Sequence, residues 1–316
     1  MPYCFKLSRR ISRLRAPALL ATLVAFGGCE SGTALDPSTT SLADPVESPV
    51  VSPVEAPSTA SASFNGLAFG AMNMPTTLYG STYTGGKQTY SPGDIKSALA
   101  TIKSRGGRVV IMMAGPEKYY KDASGHFSLT RWKERIDRFK SVNFDSYISD
   151  GTIIGHYMID EPQDPHNWNG QPIAPSTVDE MGRYSKQLWP GMATIVRTLP
   201  KYFPSSPKYV DAAWAQYLAR FGSVNNYIQQ NVSDAQKRGL ALVVGLNVIM
   251  GGAPNGTTMS ASEVKAFGSA LLSSSYPCAF LSWQYRDAYW TSSATKDAMQ
   301  YLSSKARSRS AKSCRS

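Results

Sequence analysis

Seven short apolar runs, each separated from the next by longer amphipathic sequence, constrain this chain more than any other feature: Leu67–Met72, Val109–Ala114, Thr152–Ile159, Ala193–Arg197, Tyr209–Trp214, Leu240–Val248 and Ala279–Trp283. Runs this short and this continuously apolar read as strands buried on both faces, which requires helices to cover a parallel sheet. The intervening stretches carry helix signals. Ser91-Pro92-Gly93-Asp94 precedes Ile95, and Gly106-Gly107 ends the stretch. Trp132, Ile136 and Phe139 share one face at helical spacing, and Val224 to Lys237 stops at Gly239. Ser176 to Glu180 and Ser260-Ala-Ser-Glu263 read as capping boxes. This is the α/β pattern of a (β/α)8 barrel of the TIM type, one domain over residues 64–304. An open nucleotide-binding sheet is excluded because no Gly-x-Gly-x-x-Gly or Gly-x-x-x-x-Gly-Lys follows a strand. Seven strands leave an eighth to find. It is either hidden between Thr76 and Tyr90 or absent, and the barrel is then distorted or incomplete.

The ends of the chain differ in kind from the body. Residues 1–28 carry Lys6, Arg9, Arg10, Arg13 and Arg15 and then the apolar run Ala18–Phe26, the layout of an export signal. Its ending, Leu23 to Cys29, resembles the lipobox of bacterial lipoproteins; the resemblance implies lipidation of Cys29, a membrane anchor and a place in the cell envelope, with plain secretion as the alternative. Residues 29–63 are rich in Pro, Ser, Thr and Ala and read as a tether that buries too little to fold. Residues 305–316 form a basic tail. The formal charge of +11 shrinks once the signal's five cations are set aside, leaving 28 basic against 22 acidic residues. That mild excess, without a Lys/Arg stripe, argues against nucleic acid as a partner. Cys278 and Cys314, the cysteines left in the exported body and tail, are expected to form a disulfide. The three histidines, at 126, 156 and 166, lack metal-ligand spacing, so no metal or cofactor is expected. A monomer is expected.

Candidate chemistry sits at the strand exits. The run Thr152–Ile159, with His156 on it as a candidate substrate contact at the mouth, passes straight into Asp160-Glu161-Pro162, and acids at the exit of an apolar strand are costly unless something uses or pairs them. In a barrel the other exits converge on the same mouth. They contribute Asn73, Glu117, Arg197, Trp214, Gln216, Asn247, Trp283, Gln284, Tyr285 and Asp287, with Asp211 inside the Tyr209–Trp214 run. Aromatic faces and amides suit a carbohydrate, whose C–H faces stack while its hydroxyls pair.

A strand ending in Asp160-Glu161-Pro162, together with Trp283 on the last strand, resembles the clan of TIM-barrel glycoside hydrolases whose acid/base is a strand-end glutamate before proline, usually in Asn-Glu-Pro. The resemblance implies that Glu161 is the general acid/base and that Asp160 stands where the asparagine would. The clan's nucleophile is a glutamate ending a late strand, whereas this chain has no glutamate between Glu180 and Glu263, and Gln284 stands near that place. Glycoside hydrolysis needs two carboxyls. Asp160 is a poor partner because strand neighbours point to opposite faces, leaving Asp211, Asp287 or Glu117. The alternative is a non-catalytic glycan-binding or structural surface lipoprotein.

Overall fold

A computed structural model of the protein describes residues 65–254 and 256–316. The export signal, the tether and Cys29 lie outside the described residues. Eight parallel strands close into a barrel in chain order: β1 Ala68–Met72, β2 Gly85–Thr89, β3 Arg108–Met112, β4 Ile153–Asp160, β5 Thr194–Arg197, β6 Ala212–Tyr217, β7 Ala241–Leu246 and β8 Ala279–Ser282. The helices between and after them are α1 Ile95–Ser104, α2 Leu129–Asp137, α3 Asp145–Ser149, α4 Pro175–Leu188, α5 Val224–Lys237, α6 Ala261–Ser273, α7 Asp287–Trp290 and α8 Ser293–Arg307. The ring shuts where β1 pairs with β8, Ala68 opposite Ala279. The expected (β/α)8 barrel is therefore complete.

The eighth strand is β2, hidden where it was sought, and its sequence Gly-Gly-Lys-Gln-Thr explains why no apolar run marks it. Both glycines are sterically required. A Cβ on Gly85 would lie 2.8 Å from the Phe69 nitrogen, and one on Gly86 would lie 2.2 Å from the Tyr79 hydroxyl. Close approach of backbone and ring to β2 thus replaces side-chain packing there.

Two packed layers follow from strand alternation. Outward residues such as Phe69, Val109, Ile111, Met158 and Val244 join the helices in one large core, while Met72, Met112, Tyr157, Ile195, Trp214, Val243 and Leu281 fill the barrel interior. Tyr157 and Trp214 meet edge to face at 5.6 Å. Local signals are mostly as read: the Ser260–Glu263 capping box is present, and α5 ends before Gly239 at φ +64°. The capping box expected at Ser176 is a correction. The helix begins earlier, at Pro175, whose fixed φ suits the first turn, and Glu180 instead pairs with Lys133 and Arg183.

The C-terminal segment is more than a solvated tail. The helix α8 runs through the expected boundary at 304, and the Leu67 N–H donates to the Ala306 carbonyl at 2.9 Å. Beyond it Cys314 is buried and bonded to Cys278, with Cα atoms 5.3 Å apart, and both cysteines belong to the interior cluster. The segment thereby plugs the N-terminal end of the barrel. Reduction should release a 36-residue constraint, destabilising the body by about 3–4 kcal/mol in the loop-entropy account. Urea unfolding with and without reductant measures this, and coincident curves would show that the bridge adds no stability.

Candidate active site

Glu161 is the residue immediately after β4, and the strand delivers it by an irregularity. The register of β4 against β5 shifts between Tyr157 and Ile159, so that Tyr157 packs inside the barrel while Met158 and Ile159 both join the outer core. Glu161 then turns at φ +38°, a left-handed conformation that a non-glycine residue adopts only when its surroundings insist. The surroundings here are hydrogen bonds. Its N–H donates to the Arg197 carbonyl at 2.9 Å, and its own carbonyl accepts from the Asp164 N–H at 3.0 Å and the Trp168 indole at 3.2 Å.

The turn brings together two carboxylates that strand alternation would have separated. Arg197, at the end of β5, bonds Asp160 through Nε and reaches Glu161 through Nη2 at 3.1 Å, while Nη1 donates to Gln216 at 2.8 Å. The expectation that neighbouring acids point apart is therefore corrected at this site. Burial opposes the Arg197 charge, but Asp160, Tyr157 and Glu161 outweigh it and hold the guanidinium cationic. The Glu161 carboxyl is pushed above its usual range by burial, with Arg197 opposing and Asp160, Asp164 and Glu117 adding. Its side chain is 39% exposed, so solvent screens this shift. Glu117 is also raised, chiefly by burial and despite its 3.1 Å ion pair with Lys121.

One charged residue of the site lay in the unread strand. Lys87 points into the barrel with its Nζ 5.0 Å from the centre of the Tyr157 ring and 3.5 Å from the Thr89 hydroxyl. Burial lowers its pKa from 10.5 to about 8, with Asp160 opposing and Arg197 adding. Between pH 8 and 10.5 the unfolded chain holds a proton here that the folded chain does not, so stability rises with pH across that window. Lys87→Met should be more stable than the parent at pH 7, by up to the order of 3 kcal/mol at 1.36 kcal/mol per unit. The advantage should shrink as pH climbs to 10.5; denaturant melts across pH would show a constant difference if Lys87 titrated normally.

Glu161, Arg197, Trp214, Gln216, Asn247 and Trp283 line one cleft of about 470 Å³ at the C-terminal mouth. Trp214 forms its floor rather than a stacking face, being fully buried with its indole N–H donated to the Leu281 carbonyl. Asn73, Gln284 and Tyr285 gather on the β1–β8 side of the mouth, where the Asn73 amide donates to Gln284 at 2.9 Å. Asp287 is there too, exposed and accepting from the Tyr285 hydroxyl at 2.6 Å, and it does not line the cleft with Glu161.

Two expected residues lie elsewhere. The strand β6 starts at Ala212, three residues later than its apolar run, so Asp211 sits at the opposite, N-terminal end of the barrel. There it is buried and satisfied by Lys186 at 2.6 Å and by the Thr194 N–H at 2.8 Å. It cannot reach Glu161's cleft. His156 faces outward from β4, between Trp132 at 5.8 Å and Trp189 at 6.3 Å, with Nδ1 2.8 Å from the Ser185 hydroxyl. Burial lowers its pKa to about 3 and keeps it neutral. A core packing residue, not a substrate contact, occupies that position.

Besides Lys87, the sequence reading missed Asp164, Arg220, Phe221 and Met250, all on the cleft wall. The displaced bounds of β6 hid the second and third, because the strand ends at Tyr217 rather than at Trp214 and the turn Ala219–Phe221 follows it. Among the described residues, no group of three or more His, Cys, Asp or Glu side chains is arranged to hold a metal ion.

No protein-family model matches the chain, and no curated protein sequence matches it. Solved structures do. A candidate glycoside hydrolase from Parabacteroides distasonis ATCC 8503 superposes with a TM-score of 0.53 at 9% identity, over 78% of this chain and 95% of that one. A β-glucuronidase from an uncultured Clostridium sp. gives 0.50 at 8% identity, over 76% of this chain and 50% of its own. A GH30 endoxylanase from Clostridium papyrosolvens C71 gives 0.50 at 12% identity, over 76% and 71%. At such identities the likeness is one of fold, and the fold it establishes is the (β/α)8 barrel.

Proposed function

We propose that this protein is a glycoside hydrolase-like barrel that cleaves a glycosidic bond in a carbohydrate, with Glu161 as general acid/base. The observation that carries the reading is Glu161 itself: a carboxyl at the exit of β4, on the wall of the mouth cleft, with burial raising its pKa and Arg197 beside it. A raised carboxyl is what a general acid needs near neutral pH. Protonated Glu161 would give its proton to the glycosidic oxygen as the C–O bond breaks. A second carboxylate would take a proton from the water that attacks the anomeric carbon. Asp164, which lines the cleft with Glu161, is the acid best placed for that part, with Glu117, paired with Lys121, as the other candidate, since Asp160 is tied to Arg197. Release of reducing sugar from a panel of polysaccharides and aryl glycosides, with Glu161→Gln beside the parent, tests the reading.

A second reading has an observation of its own. Asn247 follows β7 and Trp283-Gln284 follows β8, where the clan's late-strand glutamate would stand. A glycan-binding protein without turnover fits that lining. It would be recognised by a glycan that raises the Tm of the parent and of Glu161→Gln alike while no sugar is released. For either reading the chain is proposed to be exported, tethered by residues 29–63 and lipid-anchored at Cys29 as a monomer; the disulfide supports an oxidising compartment. Loss of membrane association in Cys29→Ala would be the sign of the anchor.

A further inference from the structure

We propose that the cleft selects an acidic carbohydrate, one bearing uronate carboxylates or sulfate esters, through the guanidinium of Arg220; this rests on the carbohydrate reading of the same cleft. The residue lies in a 3₁₀ turn, Ala219–Phe221, directly after β6. The Ala219 N–H donates to the Gly251 carbonyl at 2.7 Å, and the Met250 N–H donates to the Asn247 side chain at 2.9 Å, so the loops after β6 and β7 form one continuous rim. Of four large apolar side chains left exposed among the described residues, two stand on this rim: Phe221 at 44% and Met250 at 54%. Apolar groups held exposed beside a concave site are what a ligand covers.

Charge decides which ligand. The cleft contains two arginines, and they are in opposite states. Arg197 is consumed by Asp160, Glu161 and Gln216. Arg220 has no carboxylate within ion-pair distance among the described residues; its guanidinium lies 5.7 Å from the centre of the Phe221 ring. That ring is itself fixed, stacked on Tyr227 at 5.6 Å and 5° between planes, and Tyr227 packs edge-on against Tyr217 at 5.2 Å. The stack Tyr217–Tyr227–Phe221–Arg220 thus carries a cation from the end of β6 out to the cleft wall. Ordering the guanidinium in advance lowers the entropy lost when it binds. The acids of the cleft do not cancel it: Glu161 faces Arg197, and the Asp164 carboxylate accepts from the His166 N–H at 2.9 Å and lies 3.0 Å from its Nδ1. A planar guanidinium matches the paired oxygens of a carboxylate or a sulfate.

The test compares affinities of the full protein for polygalacturonate, a sulfated galactan and neutral xylan and laminarin at low salt, with Arg220→Gln and Phe221→Leu beside the parent. The parent should favour an acidic glycan over the neutral ones, and salt should erode that preference. In Arg220→Gln the acidic-to-neutral ratio should fall roughly tenfold, as loss of one charge-assisted contact implies. Phe221→Leu should lower the ratio in part, because the cation stays but its support goes. Preference for polygalacturonate identifies a carboxylate ligand and preference for the galactan a sulfate; either supports the assignment. Equal affinity for acidic and neutral glycans, or a ratio unchanged in Arg220→Gln, overturns it and leaves the carbohydrate reading standing. No binding to any glycan overturns both.

Discussion

Replacing Glu161 by glutamine should lower the rate of glycoside cleavage by roughly 10²–10⁴-fold, the usual contribution of a positioned general acid. Glutamine keeps the size of the side chain and its capacity to accept from Arg197, so the fold should persist with a change of under about 1 kcal/mol, the scale of a half-exposed ion pair. The pH profile supplies a second signature. Because Glu161 must be protonated to act, activity should fall as pH rises through its raised pKa, and that alkaline limb should be missing from whatever activity the variant keeps. The same shift has a stability sign: a carboxyl that holds its proton more tightly when folded stabilises at low pH and loses that contribution as pH rises past its folded pKa. A variant that turns over normally would remove Glu161 from the chemistry and leave Asp160-Glu161-Pro162 as a structural turn.

Arg197→Met should be the most damaging change to the site's framework. The guanidinium, 11% exposed, is the common partner of Asp160, Glu161 and Gln216, so its loss leaves Asp160 half-buried without compensation. Removing one partner of a fully buried pair costs ~3–5 kcal/mol, and because Asp160 keeps 26% exposure the low end is expected. The double variant Arg197→Met, Asp160→Asn should recover part of the loss, since no buried anion then remains. An additive cycle would mean that the two do not interact. Where activity can be measured, Arg197→Met should move the alkaline limb upward, because Arg197 is the main influence that lowers the Glu161 pKa.

Much of this architecture was legible in the sequence. Apolar runs bounded by helix signals located the seven strands that owe their burial to side chains, and Glu161 was visible because an acid at such an exit is anomalous. What stayed hidden follows from how each element is held. The strand β2 is set by the close approach of Phe69 and Tyr79 to Gly85 and Gly86, which leaves no hydrophobic trace, and Lys87 vanished with it. The boundary of β6 slipped because Tyr209 and Val210 extend the apolar run below the barrel, carrying Asp211 to the wrong end and concealing Arg220. His156 was assigned to the mouth because its side of the strand cannot be read until Trp132 and Trp189 pack on it. The meeting of Asp160 with Glu161 depends on a bulge and a left-handed turn, which strict alternation cannot foresee.

Closure of the ring also sets a clock. The partner of Ala68 is Ala279, 211 positions further along, so during synthesis one edge of β1 has nothing to pair with until nearly the whole body has been made. At ~5–20 residues per second that wait is roughly 10–40 seconds, long compared with the microseconds in which helices and collapsed segments form. The waiting edge is Ala-Phe-Gly-Ala-Met, without a charge or a proline to discourage a neighbouring chain from pairing with it. For an exported chain the same edge stays open until translocation has delivered β8, so a chaperone that shields extended apolar segments should matter most for its first strand.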